Sequence, residues 1–300
     1  MKFADIADVY LAAPVDPIPV PSVAQTPARR LRDALEPIAT QGWWAKGVHD
    51  RLERHALGFL EGYVCGRAAA LGEPSAGVVV ATFGVFEPSF LTAIYEQGRT
   101  AVSRTEVLAA REAGAVESLT RIVGETDDIR TAGDALLEAT GGVDATARPL
   151  FSGLRGLSVP TSMLGRLWRG AELVREHRGD GHLAACIGEG LDPLEMSVLT
   201  ELWLDYPVGA YSSSRGYGPD AISVAQARLT ARGWIEGDTL SPAGRSARDL
   251  IEVVTDRSQQ ALVEALGSRL DAVVTTAERV SAAILAAGAF PADPRKRAAG

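Results

Sequence analysis

The chain has 300 residues, a formal net charge of −8 and a hydrophobic fraction of 46%. That length suffices for two ordinary domains, and that apolar share for a buried core. The acidic balance repels nucleic acid at long range and leaves only a local basic patch to attract it. Two isolated cysteines, Cys65 and Cys186, exclude a disulfide framework and a cysteine-rich metal site. They read as small buried residues in a reducing cytoplasm. No apolar run reaches bilayer length, and the start, Met1-Lys2-Phe3-Ala4-Asp5, is acidic where a signal peptide is basic and then apolar. The expectation is a cytoplasmic protein with no membrane partner.

Residues 1–27 predict an extended arm, because Pro14, Pro17, Pro19, Pro21 and Pro27 crowd its second half. Beyond it the pattern is mainly helical. Arg67 follows Gly66 inside an apolar helical stretch, so its guanidinium must reach solvent, a carboxylate or a ligand anion. Phe83, Phe86, Phe90 and Tyr95, with Trp43 and Trp44, read first as core; Phe83 and Phe86 are also candidate walls of a ligand pocket. Ser103 and Glu106 form a capping box for a helix to about Ile122. Thr126 opens another, with Asp127 and Asp128 suited to its dipole. Residues 161–177 predict an amphipathic helix with Leu164, Leu167, Trp168, Ala171 and Val174 on one face.

Gly179-Asp180-Gly181 predicts a tight turn. Asp180 would cap the following helix and pair with Arg175, and His182 would sit in that helix's first turn. Asp192-Pro193-Leu194-Glu195 opens a further helix. Then Pro219 starts a helix with Ile222, Ala225 and Leu229 on one face, which Gly233 stops. Trp234-Ile235 and Leu240 are short strands around a turn at Gly237-Asp238, and Ser241-Pro242 caps the next helix. Strand content is expected in this wing and in a degenerate counterpart within the first half. From Ser241 to about Ala287 the pattern stays helical, with Gly267 a break. Residues 288–300 read as a polar, disordered tail carrying Arg295-Lys296-Arg297.

A weak repeat runs at an offset of 119 residues. It pairs Arg29 with Arg148, Leu31 with Leu150, Leu35 with Leu154, Gly62 with Gly181, Pro74 with Pro193 and Pro88 with Pro207. The division it suggests is an N-terminal helical half, degenerate and winged-helix-like, over 28–145, and a C-terminal winged-helix half with long terminal helices over 146–287. A chain so built is a monomeric pseudo-dimer or a homodimer.

The order helix, β-ribbon, capped helix over 219–245, ending Leu240-Ser-Pro-Ala-Gly-Arg245, resembles the MarR-like winged-helix regulators. Gly66-Arg67 to Gly72, Ala81-Thr-Phe83 to Pro88, and Arg175-x-His177-Arg178-Gly179-Asp180-Gly181-His182 extend the likeness. With them the chain resembles a family of two-part actinobacterial helix-turn-helix proteins over roughly 28–285. The resemblance implies a mainly α, winged helix-turn-helix fold of two related halves, a pocket between them, and a transcriptional regulator. One departure stands out. Ser212 to Gly218 reads as a loop where the helix before the recognition helix belongs.

Three readings follow. A ligand-responsive regulator would bind double-stranded DNA through Arg215, Ser223, Gln226 and Arg228. A winged-helix scaffold without DNA binding would hold a small aromatic or anionic molecule between its halves. Its candidate lining is Arg67, Phe83, Phe86, Trp168, Glu172, Arg175, His177 and His182. An enzyme would use His182 and Asp180 as an acid–base pair in the same cleft. No metal site is expected from His177 and His182, five residues apart with no further ligand beside them, and no cofactor motif is present. Against DNA, residues 192–245 hold four arginines and seven carboxylates.

Overall fold

The computed structural model describes Leu11 and residues 19–298; the rest of the N-terminal arm expectation lies outside the described residues. Residues 19–26 form no regular element, and Thr26 then caps the first helix by accepting from the Arg29 N–H at 3.0 Å. The helices are α1 Pro27–Ala39, α2 Gln41–Trp44, α3 Lys46–Leu52, α4 Phe59–Ala68, α5 Ala76–Phe83, α6 Pro88–Ala101, α7 Arg104–Val123 and α8 Asp127–Gly142. They continue as α9 Pro149–Arg155, α10 Met163–Gly188, α11 Pro193–Trp203 and α12 Pro219–Ala231. After the strands β1 Ile235–Glu236 and β2 Thr239–Leu240 come α13 Pro242–Arg257, α14 Gln260–Leu266, α15 Leu270–Ala286 and α16 Pro294–Ala298. The fold is mainly α. The capping boxes at Ser103–Glu106 and Asp192–Glu195 are both formed.

Helix α10 is the spine. It packs against α8, α1, α9, α13 and α7. The largest cluster of buried side chains surrounds it, joining Leu35, Leu119, Ile129, Leu136, Phe151, Leu164, Trp168, Val273 and Ile284. This core draws on residues from both sides of position 145. A second cluster, with Val48, Val64, Val79, Phe83 and Leu91, fills the space among α3 to α7. A third lies under the wing. There Ile222, Ala225 and Leu229 of α12 point inward, and Leu202, Trp203, Ile235 and Leu240 join them. Trp234 is only partly buried.

The wing is the single sheet among the described residues: Ile235 opposes Leu240 and Glu236 opposes Thr239. Gly233 turns the chain into it at φ +73°, a left-handed value that glycine adopts without a Cβ clash. Gly267 also has positive φ and separates α14 from α15.

Three expectations are corrected. The turn at Gly179–Gly181 does not exist, because α10 runs unbroken from Met163 to Gly188. The first half has no wing among the described residues; the positions 119 before β1 and β2 fall inside α7. The tail is not a free polar end. Phe290 is 3% exposed, the Tyr206 hydroxyl donates to Asp293 at 3.0 Å, and Arg295 stacks 3.8 Å from the Tyr206 ring centre. An aromatic anchor and a cation–π contact hold it down.

Candidate functional site

Helix α10 buries charge along its length, and Glu172, Glu176, Arg175 and Arg178 find partners on other helices. Glu172 takes Arg111 of α7 at 2.6 Å, with Arg169 at 3.5 Å. Both arginines lie over faces of the Trp168 ring. One turn on, Glu176 receives Arg67 of α4 in a two-point contact at 2.8 and 3.2 Å, and Arg175 at 3.2 Å. Arg175 also reaches Glu36 of α1 at 3.2 Å. Burial opposes ionisation of Glu176, but Arg67 and Arg175 outweigh it and hold its carboxyl below the usual range. The Arg67 guanidinium lies 4.7 Å from the Phe83 ring centre and donates to the Tyr63 hydroxyl oxygen at 2.8 Å. Arg175 therefore pairs with glutamates and not with Asp180.

The third network centres on Glu252 of α13, which accepts from Arg29, from Arg178 at 2.8 Å and from Arg248 at 2.6 Å. Thus Arg67, Phe83, Trp168, Glu172 and Arg175 are brought into one buried belt, but its charges are committed to Glu176, Glu36, Arg111 and Arg169. The cavity beside Arg175, lined also by Arg32 and Glu36, measures about 30 Å³, room for a water and not for an organic ligand. Phe86 lies outside the belt's charges, 4% exposed, under the Arg215 guanidinium.

His182 and Asp180 do not form an acid–base pair. They stand two apart on a continuous helix, so they leave it on different faces. His182 Nδ1 is 3.1 Å from the Thr255 hydroxyl and its Nε2 is 3.7 Å from Cys186 Sγ. Burial presses this histidine down to about 3 and pushes the Cys186 thiol up to about 11, so both are neutral and unreactive at physiological pH. His177 packs edge-on against Phe151 and bonds Gln259 at 2.9 Å, away from His182. Asp180 does cap a helix, but an earlier one: its Oδ2 accepts from the Phe151 N–H, in the first turn of α9, at 3.0 Å. Beside Asp180 a groove of about 380 Å³ runs between α10 and α13.

The winged-helix region is organised by Glu201, which no sequence signal marked. This carboxylate is fully buried at the end of α11 and accepts the backbone N–H groups of Gly209, Tyr211 and Ser212 at 3.0, 2.5 and 2.5 Å. It gathers residues 205–217 into an irregular loop with one 3-10 turn, Ser213–Arg215, in place of a helix. Arg215 is turned into the protein. It stacks 4.0 Å from the Tyr211 ring centre and 5.1 Å from that of Phe86, and its carbonyl accepts from Glu87 N at 2.9 Å. The expectation that it contacts DNA is corrected on that geometry.

On α12, Ser223 and Arg228 are exposed and Gln226 is half-buried. Arg228 is bound to the two carboxylates that begin α11: Asp192, and Glu195 at 3.0 Å. Arg232 donates to the carbonyls of Glu189 and Gly190 at 2.6 and 3.1 Å. A family model described as helix-turn-helix matches residues 28–291. The chain belongs to this helix-turn-helix family. No curated protein and no solved structure matches the chain.

Arg228 of α12 and its C-cap residue Arg232 thus hold the short connection between α10 and α11 and the start of α11. In the sequence Asp192 and Glu195 mark only the opening of a helix. Their second role needed the three-dimensional neighbourhood of Arg228. Among the described residues, no helix is long and apolar enough to cross a membrane.

Proposed function

We propose that this is a ligand-responsive winged-helix transcriptional regulator, with double-stranded DNA as its partner and α12 as its reading helix. Membership of the family supports the partner. The observation that carries the mechanism is the latch of Arg228 onto Asp192 and Glu195. Arg228 and Asp192 are each close to half exposed. An ion pair in that setting contributes about 0–1 kcal/mol, so a phosphate or a guanine edge can displace it. The latch therefore sets a threshold for DNA binding without forbidding it.

The two-half organisation is part of the same proposal. Moved back by 119 residues, Met163–Gly188 falls on the span of α3 and α4, Pro193–Trp203 on α5, and Pro242–Arg257 on most of α8. That correspondence supports an ancestral duplication. Because the first half lacks a wing, each chain offers one reading helix, and a homodimer would supply the second for a palindromic site.

A second reading is a scaffold that has given up DNA and only holds a ligand. It is favoured by the outer face of α12, which presents Asp220, Ala221, Val224 and Ala227, next to a wing carrying Glu236 and Asp238. Gel shift at low salt, with duplexes from the gene's own chromosomal neighbourhood, separates the two. The substitutions Asp192→Asn and Glu195→Gln together keep the helix cap and remove the charge of the latch. The regulator reading expects that double variant to bind up to about fivefold more tightly than the wild type, the gain that about 1 kcal/mol allows, and Arg228→Ala to abolish the gain. If neither protein shifts any fragment, the scaffold reading replaces it.

A further inference from the structure

The groove between α10 and α13 has a built polar end and an apolar remainder. Its floor is Gly181, Ala184, Ala185 and Gly188, and its wall is Ile251 and Val254. Asp180 stands at the polar end, 4% exposed. One carboxylate oxygen serves the Phe151 N–H, and the other, Oδ1, is buried with no hydrogen-bond partner. A buried acceptor left unmet costs free energy, so native proteins rarely keep one without a use.

The charge of Arg148 acts on Asp180, but its N–H groups are committed elsewhere. It donates to the His177 carbonyl and, at 3.1 Å, to the Ser258 carbonyl. Gly181 makes that reach possible, since a Cβ there would lie 2.8 Å from Arg148 Nη1 and 2.5 Å from Ser258 Oγ. The backbone beside Arg148 is itself strained: Ala147, on the groove's rim, has φ +57°. Strain and an unmet acceptor thus converge on one end of one groove.

We infer that this groove binds a small, largely apolar amine, which donates an N–H to Asp180 Oδ1 and lays its hydrocarbon body along Ile251 and Val254. An anion would meet the Asp180 carboxyl at one end and Glu189 at the other, while Arg148, the cation in the lining, is turned onto two backbone carbonyls. A purely apolar molecule would leave Oδ1 unmet. Burial holds the Asp180 carboxyl up to about 7, and an arriving cation would favour its ionised form.

The site names the ligand class of the proposed regulator, and only its consequence for DNA rests on that reading. The groove ends at Gly188 and Glu189, and from there the chain runs through Gly190 to Asp192, the segment that holds Arg232 and Arg228. A molecule seated there lies against the start of that segment.

The test is calorimetric titration of the full chain, without DNA, using 2-phenylethylamine. The matched alcohol, 2-phenylethanol, and the anion 3-phenylpropanoate serve as comparisons. The amine should bind at least tenfold more tightly than the alcohol, and the anion should not bind. Asp180→Asn should weaken the amine at least tenfold. Gly188→Leu should do the same by filling the groove, and a Cβ at 188 meets nothing within 4 Å, so folding tolerates it. No amine binding, equal binding of amine and alcohol, or unchanged affinity in a folded Gly188→Leu variant overturns the inference. Because no DNA is present, its failure leaves the gel-shift result standing on its own.

Discussion

Asp180 and Glu252 show how differently two buried carboxylates can be treated. Glu252 has three arginines, and although burial opposes its charge, Arg248, Arg178 and Arg29 hold it well below its ordinary range. Breaking such a pair by removing one partner typically costs about 3–5 kcal/mol, because the other charges are left buried. Asp180 has one backbone donor, and burial dominates. Glu176 adds to the upward push, while Arg67 and Arg148 oppose it, leaving the carboxyl at about 7 against an ordinary 3.8. The native state therefore keeps a proton that the unfolded chain releases. Its stabilising effect is complete below pH 3.8 and disappears as pH rises through about 7. His177 and His182, pressed down by burial to about 4 and about 3, act in the opposite sense, losing stability as pH falls below 6.5. Comparison with Asp180→Asn cancels the histidines. Urea denaturation of both proteins from pH 4 to 8 should show the wild type losing ground to the variant as pH rises, by at most about 1.4 kcal/mol per unit. A difference that stays flat across that range would mean Asp180 titrates like a solvated aspartate.

At the level of elements, what the sequence made legible were the caps and the wing. Ser103, Asp192 and Ser241 stand at helix starts because their side chains accept the first orphan N–H groups, and that chemistry is local. Gly233 is legible for the same reason. A Cβ there would meet nothing within 4 Å, so the cost of Gly233→Val comes from the backbone alone, about 1–2 kcal/mol for a bulky residue held at φ +73°. Gly233→Asn should cost less, since asparagine tolerates that region. A thermal midpoint for the valine variant equal to wild type would place the strain elsewhere. Helix α10 was misread because Gly179, Asp180 and Gly181 carry turn chemistry, and a helical glycine costs about 1 kcal/mol relative to alanine. Close packing offsets that cost. Gly170 admits Leu136, Gly165 admits Pro160, and Gly181 admits Ser258 and Arg148. Those partners lie far away in sequence, so no local pattern announces them. The candidate site was legible in its residues and not in its pairing. Arg67 needed a carboxylate, as any buried arginine does, but Glu176 could be assigned only once α4 and α10 were seen side by side.

Over the whole molecule the decisive quantity is where positive charge is free. A net charge of −8 sets a repulsive background for DNA. Against it, the proposed reading helix offers Arg228, tied to two carboxylates, and its C-cap offers Arg232, tied to two carbonyls and the Trp234 ring. Loosening the first tie changes the number of phosphates the protein can neutralise, and that number is measurable. For duplex DNA, the logarithm of the binding constant falls with the logarithm of salt concentration by about 0.9 for each phosphate contacted. The double variant Asp192→Asn, Glu195→Gln should therefore show a slope steeper by about 0.9 than the same protein carrying Arg228→Ala, if Arg228 lands on a phosphate. If it reads a base instead, the two slopes coincide, and Arg228→Ala costs about 1–3 kcal/mol on one sequence and little on others. Coincident slopes together with equal affinity on every sequence would remove Arg228 from the interface. The proposed reading helix would then have to act through Ser223 and Gln226 alone. Neutral side chains release no counterions, so binding of that kind would be nearly indifferent to salt.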